Sequence, residues 1–254
     1  MNLFYKIFFF VLGSVLGSFF HVVATRVSNE ESIVKPGSHC HICNHRLKWY
    51  ELIPILSYVF QGGKSRCCKQ KLPISYLMIE VVTGSLFAVS YHVFKLTPLL
   101  LINLIFISGL IIVIVSDIEY MIILDEVLTI SSALIILLSF IFFGFEKAVI
   151  TLGHGMGAFL IMFLLKIIGD FIFKKESLGG GDIKLMFLFG LVLGLPMSIV
   201  TIFLATFIAF PIAIYVLLSR KDNMIPFGPF LSIAAIILLI SKLEIMDVIK
   251  FIIS

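Results

Sequence analysis

The sequence predicts an all-α polytopic membrane protein with about eight transmembrane helices and one cytoplasmic loop domain between helices 1 and 2. Three observations predict it. Hydrophobic residues make up 60% of the chain and the mean hydropathy is +1.16, above the roughly 45–50% apolar share of soluble chains. Only 13% of residues are charged. The charges are spaced so that the gaps between them match a bilayer crossing of about 20 residues. A soluble enzyme and a disordered tail are both excluded.

Each element follows from those gaps. Charge-free runs between Lys6 and Arg26, Lys95 and Asp117, Glu126 and Glu146, Lys147 and Lys166, and Asp222 and Lys242 supply five spans. A sixth covers residues 74–94 and is interrupted only by Glu80. The run between Lys184 and Arg220 is too long for one helix, and Gly194-Leu195-Pro196 turns it back on itself. Proline disfavours helix in the residue before it and lacks a backbone donor. The first of these two spans begins near Leu178. The chain thus divides into a first span over residues 1–23, a loop domain over 24–73 and a seven-helix membrane domain over 74–254.

Lys and Arg accumulate in cytoplasmic loops. With the N-terminus outside, residues 24–73 hold eight of the 19 basic residues, residues 166–184 hold four and Arg220-Lys221 adds two. Lys6, Lys95, Lys147, Lys242 and Lys250 remain outside. The opening apolar stretch follows a single Lys and has no small-residue cleavage site before Arg26, so it reads as a retained span and not as a secretory signal.

An ionisable side chain within a span is costly unless paired or hydrated, which makes it a functional candidate. Four carboxylates qualify. Asp117 ends the third span, Asp125 starts the fourth, Asp182 follows Gly179-Gly180-Gly181, and Glu80 interrupts the second. The span order puts Asp117 and Asp182 at the same cytoplasmic face. The three glycines permit a positive φ and leave no side chains to block an extended peptide. Two neighbouring carboxylates do not both ionise easily, so one can activate water while the other donates a proton. That chemistry needs no metal. Gly-Gly-Gly-Asp is equally a turn with Asp capping the next helix, Asp125 is a natural cap, and Glu80 suits an interhelical hydrogen bond better than catalysis.

The loop 24–73 carries all four cysteines, three of the six histidines and the single Trp. Cys40-x-x-Cys43 in a reducing compartment reads as metal binding before disulfide. Cys68, or Cys67 after a small shift, supplies a third zinc ligand, and His39, His41 or His45 a fourth. The other reading is a loop of packed or reactive thiols without metal. The loop's basic residues serve topology and anionic lipid contact, not nucleic acid.

In this order and spacing the motifs resemble those of the bacterial type IV prepilin peptidases, membrane aspartic proteases of the Gly-x-Gly-Asp type. They are Gly17-Ser18-Phe19 with Arg26, Pro36-x-Ser38-x-Cys40-x-x-Cys43, Ile53-Pro54-x-x-Ser57, and Tyr76 with Glu80 and Thr83-Gly84. Asp117 with Asp125, Gly179-Gly180-Gly181-Asp182 with Lys184, and Pro226-Phe227-Gly228-Pro229 complete the set, which covers almost the whole chain. The resemblance implies an inner-membrane enzyme with Asp117 and Asp182 catalytic, and Gly179, Gly180, Gly181 and Lys184 beside the substrate. It implies cleavage of a short basic leader from type IV prepilin or pseudopilin precursors, after a glycine and before a hydrophobic residue. It further implies methylation of the new N-terminus from S-adenosylmethionine, although no glycine-rich cofactor fingerprint is present.

The sequence departs from the family at His21, where Asn is common, and at Ile123-Leu124-Asp125, where Ile-Pro-Asp is common. Counted back from Tyr76 and Glu80, the second Cys-x-x-Cys falls on Ser65 and Cys68, with Cys67 an extra neighbour. Two other classes of function use the same carboxylates or spans. One is a proton-coupled transporter relaying through Asp117, Asp182 and Glu80, and the other a non-catalytic factor that binds pilins in the membrane.

Overall fold

A computed structural model describes residues 2–40, 43–218, 225–243 and 245–246. Among these residues the regular structure is helical; strands are absent, and two isolated antiparallel bridges join His39 to Arg46 and Lys64 to Lys71. The chain divides into two compact units, Met1–Leu100 and Leu101–Ser254.

In the first unit α1 (Asn2–Ser28) runs along α3 (Ile74–Phe94). Small residues set their separation. A Cβ on Gly13 would lie 2.7 Å from the Thr83 carbonyl oxygen, and one on Gly17 would lie 2.9 Å from Thr83 Oγ1. Helices in lipid gain nothing from apolar burial against each other, so close backbone approach through small residues drives their pairing. Phe9 stacks on Tyr91 with ring centroids 5.1 Å apart, while Phe4, Val11 and Phe19 on α1 stay exposed, as lipid-facing residues do. Between the two helices the chain forms a 3-10 turn (Trp49–Glu51) and the short α2 (Leu56–Phe60).

In the second unit α4 (Pro98–Tyr120) enters from the end of the first and is the most buried long helix; Phe106, Ile107, Leu110 and Val113 are fully buried. The long α5 (Asp125–Phe173) packs on α6 (Gly180–Leu193), and α7 (Leu195–Leu218) packs on α8 (Gly228–Ser241). The two spans expected between Glu126 and Lys166 are the two limbs of α5, separated by Gly144 at φ 84° and ψ 174°, a conformation only glycine adopts cheaply. Gly194, at φ 79°, ends α6 and starts the reversal into α7 where the sequence placed it.

Among the described residues five helices, α1, α3, α4, α5 and α7, are long and apolar enough to cross a membrane. By contrast α6 and α8 have 14 residues each, or ~21 Å of helix against a hydrocarbon core of ~30 Å. Of the two, α8 starts well inside the charge gap that predicted it, at Gly228. The start of α6 at Gly180, behind the capping Gly179, falls close to the expected Leu178. Residues 225–227 are non-helical before α8: Pro226 lacks a backbone donor and disfavours helix in the residue before it, whereas Pro229 suits the first turn of one. Arg220, Lys221, Asp222 and Lys250 lie outside the described residues.

Candidate active site

The second unit gathers Asp117 and Asp182. Asp117 lies near the C-terminal end of α4, where its carbonyl accepts from Met121 N at 3.0 Å and the chain turns away through Met121 at φ 56°. Asp182 lies in the first turn of α6, with Gly179 at the N-cap. The two residues are 6% and 8% exposed.

Helix N-termini supply the counter-field. The Gly228 amide, at the start of α8, donates toward Asp117, and the Gly179 amide donates toward Asp182. Unpaired N–H groups and the helix dipole at these positions favour negative charge, offsetting part of the cost of burial. Asp182 Oδ1 is buried and has no hydrogen-bond partner among the described residues. A buried polar atom without a partner is expensive, so this oxygen marks a place for water or substrate.

Glycines set the spacing. A Cβ on Gly228 would stand 2.6 Å from Asp117 Oδ2, and one on Gly181 would stand 2.7 Å from Ile123 Cβ. Ile123 Cδ1 lies within 3.1 Å of both Cβ positions and so wedges between the starts of α6 and α8. The three glycines before Asp182 therefore work differently from the sequence expectation. None has a positive φ. Gly179 caps, Gly181 packs on Ile123, and only Gly180 faces open space, with no described atom within 4 Å of its Cβ position. Asp182 is in the first turn of α6 and not at its cap, so the simple capping reading does not describe it.

Lys184 and Asp125 bind each other, Nζ to Oδ2 at 2.6 Å, with both side chains more than half exposed. This pair joins the start of α5 to the second turn of α6. Glu80 is buried in the first unit, where its Oε2 accepts from Ile55 N at 2.7 Å. Gly228 and Ile123 are the site residues that the sequence reading passed over. The sequence signal for Gly228 was a glycine between two prolines; Ile123 had only its place beside Asp125.

The loop of the first unit brings all four cysteines together. Their Sγ atoms lie within 4.8 Å of one another, with Cys40 and Cys68 at 3.7 Å and Cys43 and Cys67 at 3.2 Å. Two turns of like construction present them. Cys40 N donates to His45 O and Asn44 N to Cys40 O; Ser65 N donates to Gln70 O and Lys69 N to Ser65 O. Asn44 and Lys69 share a left-handed φ of 55° and 58°. Ser65 thus occupies in the second turn the place Cys40 holds in the first. Its hydroxyl lies 2.8 Å from Cys67 Sγ and 3.7 Å from Cys40 Sγ.

The cysteine pair in sequence, Cys67 and Cys68, fits one cluster after all, and no histidine joins it among the described residues. His39 Nδ1 engages Gly37 O instead, and His41 lies outside the described residues. Without metal, the Cys43 thiol is pushed up to about 12, chiefly by its hydrogen bond to Cys67.

Fold and site define a multi-pass helical membrane protein with a buried carboxylate pair at helix N-termini. The profile of the Bacterial Peptidase A24 N-terminal domain matches residues 11–94, and that of the Type IV leader peptidase family matches residues 104–214. The chain belongs to the type IV leader peptidase family. It is 35% identical to a Prepilin leader peptidase/N-methyltransferase of Bacillus subtilis (strain 168) over 90% of this chain and 91% of that protein. A protein of the same name from Vibrio cholerae serotype O1 is 30% identical over 95% of this chain and 98% of its own length. No solved structure matches the chain significantly. The transporter and the non-catalytic reading find no support in these matches.

Proposed function

We propose that this protein removes the short basic leader from type IV prepilin-like or pseudopilin precursors at the cytoplasmic face of the inner membrane, with Asp117 and Asp182 as the catalytic pair, and then methylates the exposed amine. The observation that carries the reading is the orphaned Asp182 Oδ1, buried beside a second carboxylate at the starts of two helices. The ionised carboxylate takes a proton from water, whose oxygen attacks the scissile carbonyl carbon. The protonated carboxyl gives its proton to the carbonyl oxygen, and the proton taken from water then passes from the other carboxyl to the departing nitrogen as the C–N bond breaks. Gly180, free of close neighbours, leaves room for an extended backbone beside Asp182, and Gly179 lines the same approach. The Lys184 to Asp125 pair acts as a strut that holds the starts of α6 and α5 together. The apolar helix of the precursor enters sideways from the bilayer, so the site needs no large soluble pocket.

When bound, S-adenosylmethionine supplies an electrophilic methyl group: the amine nitrogen bonds to it, the S–CH3 bond breaks to leave a neutral thioether, and the nitrogen gives up one proton. Zinc suits the thiol cluster. Four thiolates around zinc at about 2.3 Å stand about 3.8 Å apart, close to the sulfur spacing in the cluster. Cys40, Cys43, Cys67 and Cys68 would hold the ion and tie the two turns of the loop together.

The test is the N-terminal mass of a prepilin-like precursor co-expressed with the wild-type chain, Asp117→Asn or Asp182→Asn. The wild type is expected to yield a product that has lost its leader and gained one methyl group. Each variant is expected to leave the precursor uncut, a loss of at least ~1000-fold in rate. Cutting that persists in both variants would remove these aspartates from the mechanism.

A further inference from the structure

The first unit holds a cavity of about 520 Å³, within the range of small-molecule sites. Its floor is the C-terminal end of α1 and the N-terminal end of α3, and its roof is the loop of residues 38–73. The unit contributes neither Asp117 nor Asp182, so the cutting chemistry leaves this cavity without a task.

The lining carries charges of both signs, Glu80 and Glu51 against Arg26 and Lys71. Glu80 is 8% exposed and Arg26 is 9% exposed. Among the described residues, Glu80 accepts one hydrogen bond, from Ile55 N to Oε2, leaving Oε1 for a ligand. Arg26 spends Nη1 on the carbonyls of Ser32 and Pro36 and keeps its other donors. Glu51 adds a second carboxylate on the roof, held by Lys48 N at 2.8 Å. The rings of His21 and Tyr76 lie against each other with centroids 4.3 Å apart and planes tilted by 31°, and form an aromatic wall. A buried carboxylate and a buried guanidinium are costly unless each meets a counter-charge.

We infer that this cavity binds the methyl donor S-adenosylmethionine, with Glu80 and Glu51 facing its sulfonium and ammonium charges, Arg26 its carboxylate, and the His21 and Tyr76 wall its adenine ring. The donor carries two cationic centres, one anionic group and one flat aromatic base, the set that this lining complements. The inference rests on the methyl-transfer part of the function proposed above and assigns it a place. Cys40 and Ser65 also border the cavity, so the thiol cluster forms part of its roof.

The test uses the full chain in lipid nanodiscs with tritiated S-adenosylmethionine. Equilibrium dialysis measures binding, ultraviolet cross-linking with peptide mapping locates the label, and methylation of a cut precursor is followed in parallel. Glu80→Gln keeps an acceptor for Ile55 N and removes only charge, and Glu51→Gln alters the roof without touching α3. Each is expected to weaken binding about tenfold, Asp182→Asn is expected to bind as the wild type does, and the label is expected on peptides within residues 18–80. Unchanged binding in both glutamine variants, or label within residues 101–254, overturns the assignment while methylation by the wild type leaves the proposed function standing. A wild type that cuts but neither binds the donor nor methylates overturns the methyl-transfer reading and this inference with it.

Discussion

Gly228 shows how one residue without a side chain can shape a site. Its Cα is close enough to the Asp117 carboxylate that a methyl group would stand 2.6 Å from Oδ2, nearer than any Cβ contact can be. The Gly228→Ala variant must move either the start of α8 or the carboxylate. A misplacement of about 1 Å at a reacting group costs on the order of 100-fold in rate. We therefore expect Gly228→Ala to lose about 100-fold in prepilin cutting while its thermal unfolding midpoint changes little, since the displaced backbone lies at a helix start. Cutting at wild-type rate would show that Asp117 is not held by this contact. At this scale Asp117 and Asp182 were legible because charges stand out against apolar spans. Gly228 was not, because its role is to be absent from a space that only the packing of α8 against Asp117 defines. Glu80 was legible as an oddity but not in its setting, because the bond to Ile55 N is made by a loop that sequence spacing does not fold.

Elements reach the site through their ends. Asp170, in the last turn of α5, fixes the segment that leads to Gly179. Its Oδ1 accepts from Ser177 N at 2.6 Å and Ser177 Oγ at 2.8 Å, and its Oδ2 accepts from Lys166 at 3.0 Å. Gly169 makes room, since a Cβ there would lie 2.8 Å from Ser177 Cβ. Asp170→Ala removes the two bonds to Ser177 that pin residues 174–179, and a third, to Lys166, within α5. The expected outcome is faster proteolytic nicking within that segment and a slower cutting rate, measured by limited proteolysis and product mass; unchanged nicking would show that the segment is held by other means. The charge gaps located the apolar elements but misjudged the lengths of α6 and α8. They measure the distance between charges, whereas helix starts at α6 and α8 are decided by glycine and proline. The loop was legible only in part for a similar reason. Cys40 and Cys43 announce themselves by spacing, but that Ser65 stands in the second turn where Cys40 stands in the first, with Cys67 beside it in the thiol cluster, follows from two turns of matching hydrogen bonds.

Across the whole chain the long helices constrain which parts share an aqueous side. Both α1 and α3 are long enough to cross a membrane and they flank the loop of residues 29–73, so a crossing by α3 would put Lys95, at its far end, across the bilayer from that loop. The concentration of Lys and Arg in the loop predicts a cytoplasmic location for it, and α4, starting at Pro98, would then return Asp117 to the cytoplasmic side. The substrate's basic leader would be met on that side, which is what the proposed cutting requires. Lys64 and Lys95 are both exposed and report the two sides. With a membrane-impermeant thiol reagent, a Lys95→Cys variant is expected to gain label over the parent chain in cells whose inner membrane is intact, and a Lys64→Cys variant only after that membrane is permeabilised. The reverse pattern would place the loop, and by the same counting Asp117, outside, where a cytoplasmic leader could not reach the carboxylate. Label at both positions in intact cells would mean that α3 does not cross, and the span order that brings Asp117 to the cytoplasmic side would fail at its second helix.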